Sequence, residues 1–400
     1  MKTIAVIGAG QAGAALVAKL RALGFDGELV LIGEEAVPPY QRPPLSKAYL
    51  LGEMALERLF LRPESFYADQ NITLRLNTRV ESIDPVARTI HFGGALLGYD
   101  ALALTTGSTP RRLPAEIGGA LRGVCVVRGL DDVDAMAPAF QPGRRVVIVG
   151  GGYVGLEAAA VAAKKGLQVT VIEMAPRILS RVACAQTSDA IRVLHAAHGV
   201  RILEATGLQR IVGETLVEGV VLSDGTRLDA DFVIAGIGIL PATALAKAAG
   251  LAIDNGIRTD AQGRTSDPHI WAAGDCASFP WQGEQLRLES VQNAIDQAEL
   301  VAENILGAAK TYAPVPWFWS DQFDLKLQIA GLNTGFDRVL VREAEARSHW
   351  YFKGSRFLAV DALGDPRAFM VAKRLLEQGR NPDPEILMDP ASDLKMLLKA

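Results

Sequence analysis

Short unbroken apolar runs alternate along this chain with Ala- and Leu-rich stretches, and glycines sit at the joins. Thr3–Ile7 is a β-branched, apolar run with no polar alternation, the pattern of a strand buried on both faces of a parallel sheet. After a glycine turn, residues 11–23 read as a helix ended by Gly24. Residues 29–32 form the next strand, closing on Glu34 and Glu35. The same order then returns. Arg145–Val149 reads as a strand, residues 150–155 as a turn, residues 156–165 as a helix ended by Gly166, and Gln168–Ile172 as a second strand followed by Glu173. Two copies of one βαβ unit are thus expected in a single chain, with no low-complexity linker between them.

Between the copies, residues 79–92 and 96–105 read as strands with turns at Asp84-Pro85 and Gly93-Gly94. After the second copy, residues 210–222 and 227–235 alternate enough to be strands around Ser223-Asp224-Gly225. The pattern changes after Ala313. A hairpin over 347–352 and 356–361, a helix over 366–378 and a short helix over 392–399 suggest a small α+β domain.

Composition narrows the class. With 49% hydrophobic and 22% charged residues over 400 positions, the chain is globular, with about two to three domains by length. Its net charge of −4 is wrong for a general nucleic-acid binder, which needs a basic stripe to displace counterions. Cys125, Cys184 and Cys276 are far apart, so neither a dithiol nor a zinc-ligand spacing exists, and a reducing, cytoplasmic setting is expected. The apolar start is too short for a signal peptide, and residues 146–163 are interrupted by five polar or glycine positions. A soluble protein with no membrane partner is the expectation.

The glycine turns carry the first chemistry. Gly8, Gly10 and Gly13 fill G-x-G-x-x-G between a strand and a helix. The first glycine allows the tight turn, the second admits a pyrophosphate to the backbone, and the third lets helix and strand pack closely. The helix N-terminus then offers free N–H groups to the phosphates. Either Glu34 or Glu35 lies where a carboxylate can accept from ribose hydroxyls. The second copy supplies Gly150, Gly152, Tyr153, Val154 and Gly155, with Glu173 as the acid, which favours NADH over NADPH. Arg177 and Arg181 lie just downstream and could offset that preference. Two dinucleotide sites imply two dinucleotides exchanging electrons, a held flavin and a nicotinamide that comes and goes.

Three further segments make the reading specific: Tyr40-Gln41-Arg42-Pro43-Pro44-Leu45-Ser46-Lys47, Thr105-Thr106-Gly107-Ser108, and residues 265–275 ending in Ala272-Ala273-Gly274-Asp275. With Pro316-Trp317-Phe318-Trp319-Ser320-Asp321 they give a chain that resembles, over nearly its whole length, FAD-dependent NADH:ferredoxin reductases. These are the putidaredoxin reductase and rubredoxin reductase type, which feed bacterial cytochromes P450 and ring-hydroxylating oxygenases. The resemblance implies an α/β fold with two Rossmann-like dinucleotide-binding domains, glutathione-reductase-like, plus a C-terminal α+β domain. It divides the chain into an FAD domain over 1–112 and 240–314, an NAD domain over 113–239 and an interface domain over 315–400.

The same resemblance places Arg42 by the FAD phosphates and Lys47 beside the flavin ring, in a segment whose Pro43 and Pro44 fix the backbone. Thr106 and Gly107 belong to the cofactor turn, and the Asp275 carboxylate can accept from a ribitol hydroxyl. Glu157 has Ala15 as its counterpart in the first copy. It is read either as an acid complementing the helix dipole or as the partner of Lys47 near the nicotinamide. Val291 and Gln292 open a long helix over 294–306 and are placed under the flavin's pyrimidine edge. Trp317 and Trp319 are expected on opposite faces of a strand, one in the core and Trp319 lining the electrons' exit.

The acceptor is read from a missing group. Neither a dithiol after the first unit nor a cysteine in Pro44-Leu45-Ser46-Lys47 is present, so electrons must leave the flavin directly, one at a time. A [2Fe-2S] ferredoxin is the expected partner, and through it a P450 or other oxygenase. It would dock on a basic patch including Lys326, Arg287 and Arg338. A reductase of quinones or other small acceptors, and a redox-sensing flavoprotein, are the alternatives.

Overall fold

The structure, a computed structural model, describes residues 2–399, which form two compact units. Among these, the first takes residues 2–42, 54–109 and 239–314; the second takes 43–53, 110–238 and 315–399.

The first unit is built on a five-stranded parallel sheet in the order Ile270–Ala272, Ala101–Leu104, Thr3–Ile7, Glu28–Ile32, Ile72–Arg75. Ile4, Ala5 and Val6 are wholly buried, as the unbroken apolar run requires of a central strand. One face is covered by the helix Gln11–Ala22, whose Leu16, Val17 and Leu20 pack with Ala298, Val301 and Ile305 of the helix Val291–Ile305. Each of these large aliphatic side chains contributes about 1.5–3 kcal/mol by leaving water.

The second unit repeats that sheet. Its order is Arg201–Leu203, Gln168–Ile172, Arg145–Val149, Phe232–Ala235, Val124–Cys125, again all parallel. The matching helix is Tyr153–Lys164. It begins three residues before the expected start, because Gly155 lies inside its first turn rather than ahead of it. Both sheets are followed by small antiparallel sheets, and here the longest predicted strands break up. Residues 79–92 hold only Ser82–Asp84 and Thr89–Phe92, and 96–105 splits into Ala95–Gly98 and Ala101–Leu104 on different sheets. Residues 210–222 split likewise at Gly213, and Arg227–Asp229 and Phe232–Ala235 part company between two sheets.

Residues 315–400 form an antiparallel sheet in the order Trp317–Gln322, Leu325–Gly331, Arg356–Leu363, Arg347–Lys353, Arg338–Glu343, with the helix Pro366–Glu377 packed against it. The expected terminal helix is a 3-10 segment, Leu394–Leu398.

Where this sheet meets the helix Ala185–Ala197, a polar cluster is fully buried. The Thr187 hydroxyl donates to Asp361 Oδ2 (2.6 Å) and lies 2.7 Å from His349 Nδ1, with Cys184 Sγ at 3.4 Å. The Tyr351 hydroxyl also donates to Asp361. Burial pushes the Asp361 carboxyl up from 3.8 to about 6 and the His349 ring down from 6.5 to about 4. As pH rises from about 4 to about 6 the unfolded chain ionises at Asp361 before the folded one, and stability falls by about 3 kcal/mol. As pH falls from about 6.5 to about 4 the unfolded His349 takes a proton that the folded ring refuses, and stability falls by a similar amount. The two slopes oppose. Asp361→Asn keeps an acceptor for Thr187 and Tyr351 but removes the first slope. Its stability gain, up to about 3 kcal/mol at pH 8, should shrink to nothing near pH 4 in urea denaturation.

Candidate functional site

The first glycine turn is held from below. Gly8 has φ +112°, and a Cβ there would lie 2.2 Å from Thr105 O. One on Gly13 would lie 2.1 Å from Gly8 O. Thr105 locks the arrangement, its hydroxyl directed at Gly8 O (2.8 Å) and Ile7 O (3.1 Å). Gly10 differs: a Cβ there would meet nothing within 4 Å. The helix Gln11–Ala22 starts at Gly10 with no side-chain cap and no acid in its first turn. Its free N–H groups and positive end therefore face open space, which suits a dinucleotide's phosphates.

Around this cradle Glu35 is tied to Arg42 Nη2 (2.5 Å) and receives the Tyr40 hydroxyl (2.5 Å), while Glu34 is exposed and pairs with Arg79 (3.3 Å). The Asp275 carboxylate accepts from Ser108 Oγ (3.0 Å). The Thr106 hydroxyl donates to Ala242 O (2.7 Å), and Gly107 has φ +67°. Val291 and Gln292 open their helix behind a Ser290 cap, which accepts from Asn293 N (3.1 Å). Gln297 of that helix accepts from Gly274 N (2.9 Å) and so fixes the loop bearing Asp275.

The second turn repeats the first. Gly150 has φ +108° with Gly236 O 2.4 Å from a built Cβ, a Cβ on Gly155 would lie 2.2 Å from Gly150 O, and Gly152 again faces open space at an uncapped helix start. Glu173 accepts from Gly151 N (2.7 Å) and Ala175 N (2.8 Å), so the acid also staples the turn. Val154 is 48% exposed, whereas the Tyr153 ring turns inward onto Phe318 (4.9 Å). Arg177 is spent within the fold, donating to Ser188 Oγ (2.6 Å) and to the carbonyls of Ser180 and Cys184.

Within the second unit Lys47 and Glu157 meet, Nζ to Oε1 at 3.2 Å. Glu157 lies beyond the helix's first turn and is 7% exposed, so the dipole reading fails and the pair stands. Ser320 Oγ donates to Glu157 Oε1 (2.7 Å) and Ser46 Oγ to Oε2 (3.1 Å). Lys47 also reaches Asp321 Oδ2 (3.6 Å), whose side chain is 40% exposed. Ser46, Ser320 and Asp321 are not among the residues singled out from sequence, although each lies within two positions of one that is, Lys47 or Trp319.

Two expectations are overturned. Trp317 and Trp319 share a face, their rings 5.9 Å apart, because side chains two apart on a strand point the same way. Both are half-buried, and Ser320 and Gln322 occupy the opposite, buried face. Arg287 is no docking residue: its side chain is 10% exposed, pairs with Glu289 (2.7 Å) and donates to Asp275 O (3.1 Å). Lys326 and Arg338 are exposed.

Comparison with known proteins agrees with the paired cradles. Residues 2–298 match the pyridine nucleotide-disulphide oxidoreductase family, and residues 317–398 match the reductase C-terminal domain. The chain belongs to this family. It is 42% identical over 401 residues to a ferredoxin–NAD(P)(+) reductase of Sphingomonas sp, covering 98% of this chain and 96% of that one. It is 40% identical over 408 residues to putidaredoxin reductase of Pseudomonas putida, covering 99% and 97%. A solved covalent putidaredoxin reductase–putidaredoxin complex superposes with a TM-score of 0.96 at 39% identity, covering 100% of this chain and 98% of that one. The disulphide in the family's name has no counterpart among the described residues. Cys125, Cys184 and Cys276 are free, and burial pushes the Cys125 and Cys276 thiols up, away from the reactive thiolate. No helix among them is long and apolar enough to cross a membrane.

Proposed function

We propose that this protein is a cytoplasmic FAD-dependent NADH:ferredoxin reductase serving a P450 or ring-hydroxylating oxygenase. The observation that carries this reading is the presence of two open, uncapped glycine cradles in a chain with no reactive thiol between them. The first cradle would hold FAD, with Gly10 against the pyrophosphate, Glu34 or Glu35 at a ribose, Arg42 by the phosphates and Asp275 at the ribitol. When bound, FAD accepts hydride from NADH and passes electrons on singly. The second cradle binds NADH through Gly150, Gly152 and Gly155. Lys47 and Glu157 then fix the geometry in which the nicotinamide is presented, which is what a hydride transfer most needs. Trp319, half-buried beside Asp321, lines the way to the ferredoxin.

Glu173 repels a 2′-phosphate, Arg177 is bound within the fold and not available to neutralise one, and the exposed Arg181 lies eight positions beyond Glu173, outside the turn that the acid staples. Specificity for NADH over NADPH of at least about 100-fold in kcat/KM is therefore expected. The decisive test of the whole reading is anaerobic mixing of the yellow protein with NADH, followed by turnover on a [2Fe-2S] ferredoxin and on quinones. Bleaching of the flavin band and faster turnover on the ferredoxin are expected; an unbleached flavin, or faster turnover on quinones, overturns the reading.

A further inference from the structure

The hydrogen bonds on Glu157 do not end at Ser320. Ser320 Oγ receives Gln322 Nε2 (3.3 Å), and Gln322 Oε1 lies 2.8 Å from His195 Nε2, on the helix Ala185–Ala197. All four side chains are buried, and they come from two helices and one strand of the second unit. We propose that His195 is a positioning residue for Glu157: acting through Gln322 and Ser320, it aims the Ser320 proton at the carboxylate that holds Lys47.

The direction follows from which atoms can donate. A carbonyl oxygen only accepts, so the proton between His195 and Gln322 sits on His195 Nε2. His195 Nδ1 is buried without a partner, so a proton there would be a donor stranded in the interior. Burial also holds the ring below its ordinary value and so favours the neutral form, with one proton to place. In this arrangement the Gln322 amide turns its oxygen toward His195 and its N–H toward Ser320. Ser320, its oxygen occupied by that N–H, has its own proton left for Glu157. The relay is one-way, from a ring whose tautomer is fixed to the carboxylate of the Lys47 pair.

Few other charged or titratable groups bear on it. Asp321 competes for Lys47 at 3.6 Å, and His198, just past the end of the same helix, stacks on Phe323 with ring centres 3.7 Å apart. An apolar set of the same shape would fill this space without three buried polar side chains needing partners. What the polar set supplies is a fixed orientation for Glu157. The inference rests on the reductase reading for its kinetic consequence, but two of its three readouts need no NADH.

The test uses the oxidised holoenzyme and three variants, with Glu157→Gln as the spectroscopic reference. In His195→Leu the donor is gone. In Gln322→Glu a new carboxylate competes for the Ser320 proton. In His195→Gln an amide N–H can still donate to Gln322. Nitrogen-15 NMR of the wild type at pH 8 should show His195 protonated at Nε2 and bare at Nδ1. The infrared band of the Glu157 carboxylate, assigned by its absence in Glu157→Gln, should shift in His195→Leu and Gln322→Glu and stay in place in His195→Gln. At saturating NADH, flavin reduction should slow about tenfold in the first two and stay within twofold in the third, the worth of one hydrogen bond to a charged group. Half-saturation by NADH should not change. A proton on Nδ1, an unshifted band in both disruptive variants, or a His195→Gln variant no better than His195→Leu overturns the inference. Failure of NADH to bleach the wild-type flavin strikes the reductase reading instead and leaves the NMR and infrared results to decide this one. Should His195→Leu not fold, the NMR result and Gln322→Glu still decide it.

Discussion

Gly152→Val should give a protein that folds as well as the parent, keeps its flavin, and is reduced by NADH at least about 100-fold less efficiently, a loss of about 3 kcal/mol. The three glycines of the second turn separate cleanly on physical grounds. Gly150 is held at φ +108° and Gly155 abuts Gly150 O, so a side chain at either must push backbone aside. Gly152 sits at φ −83° and ψ 177°, extended backbone that valine adopts readily, and a Cβ there meets no protein atom. The space such a side chain enters is the space in front of the uncapped helix, where a pyrophosphate must approach. Stability therefore survives and binding does not. Gly10→Val makes the matched case, a folded chain that purifies without flavin. Thermal melts, flavin content and stopped-flow reduction by NADH check both, and a Gly152→Val protein that reacts with NADH at the parental rate would remove the second cradle from the reaction.

Lys47→Met is expected to cost about 3 kcal/mol of stability, whereas Glu157→Gln should cost no more than about 1 kcal/mol. The asymmetry comes from the second anion. Without Glu157, Lys47 keeps Asp321 at 3.6 Å in a partly exposed position. Without Lys47, the Glu157 carboxylate is left 7% exposed with only the hydroxyls of Ser46 and Ser320 for partners. Removing one member of a buried pair is what makes such pairs costly, so adding Glu157→Gln to Lys47→Met should recover most of the loss. Urea denaturation of the two single variants and the double closes the cycle. Flavin reduction by NADH should fall at least about tenfold in Lys47→Met, since the pair no longer orients the site. Equal destabilisation by the two single changes would mean that Asp321 does not share Lys47.

Much of the framework was legible because it is written locally. An unbroken β-branched run followed by spaced glycines and an Ala-rich stretch announces a buried parallel strand and its helix, and both copies fold that way. The start of the Tyr153 helix was misplaced because a glycine within a first turn looks like the turn before it. The long strands broke up where the chain changes sheets, as between Gly98 and Ala101, which no periodicity marks. At the site, Lys47 and Glu157 lie 110 positions apart, and only the resemblance paired them. Ser320, Gln322 and His195 carry no local signature, since their meaning depends on contacts between distant segments. The Trp317 and Trp319 expectation misapplied the two-residue period of a strand. Arg287 was misplaced because a charge in a sequence does not reveal its burial, although Glu289 two positions on was a visible partner.

The strand order of the first sheet also bears on how the chain is made. Its edge strand, Ile270–Ala272, pairs with Ala101–Leu104, yet every strand of the second parallel sheet lies between Val124 and Ala235. During synthesis the later-starting sheet is therefore complete before the earlier one can close. At ribosomal speeds the strand Ala101–Leu104 waits roughly 10 to 30 s for its neighbour, with one apolar edge unpaired. Released chains truncated near residue 240 should hold a finished second sheet and an open first one, and that interval is when a chaperone has most to cover.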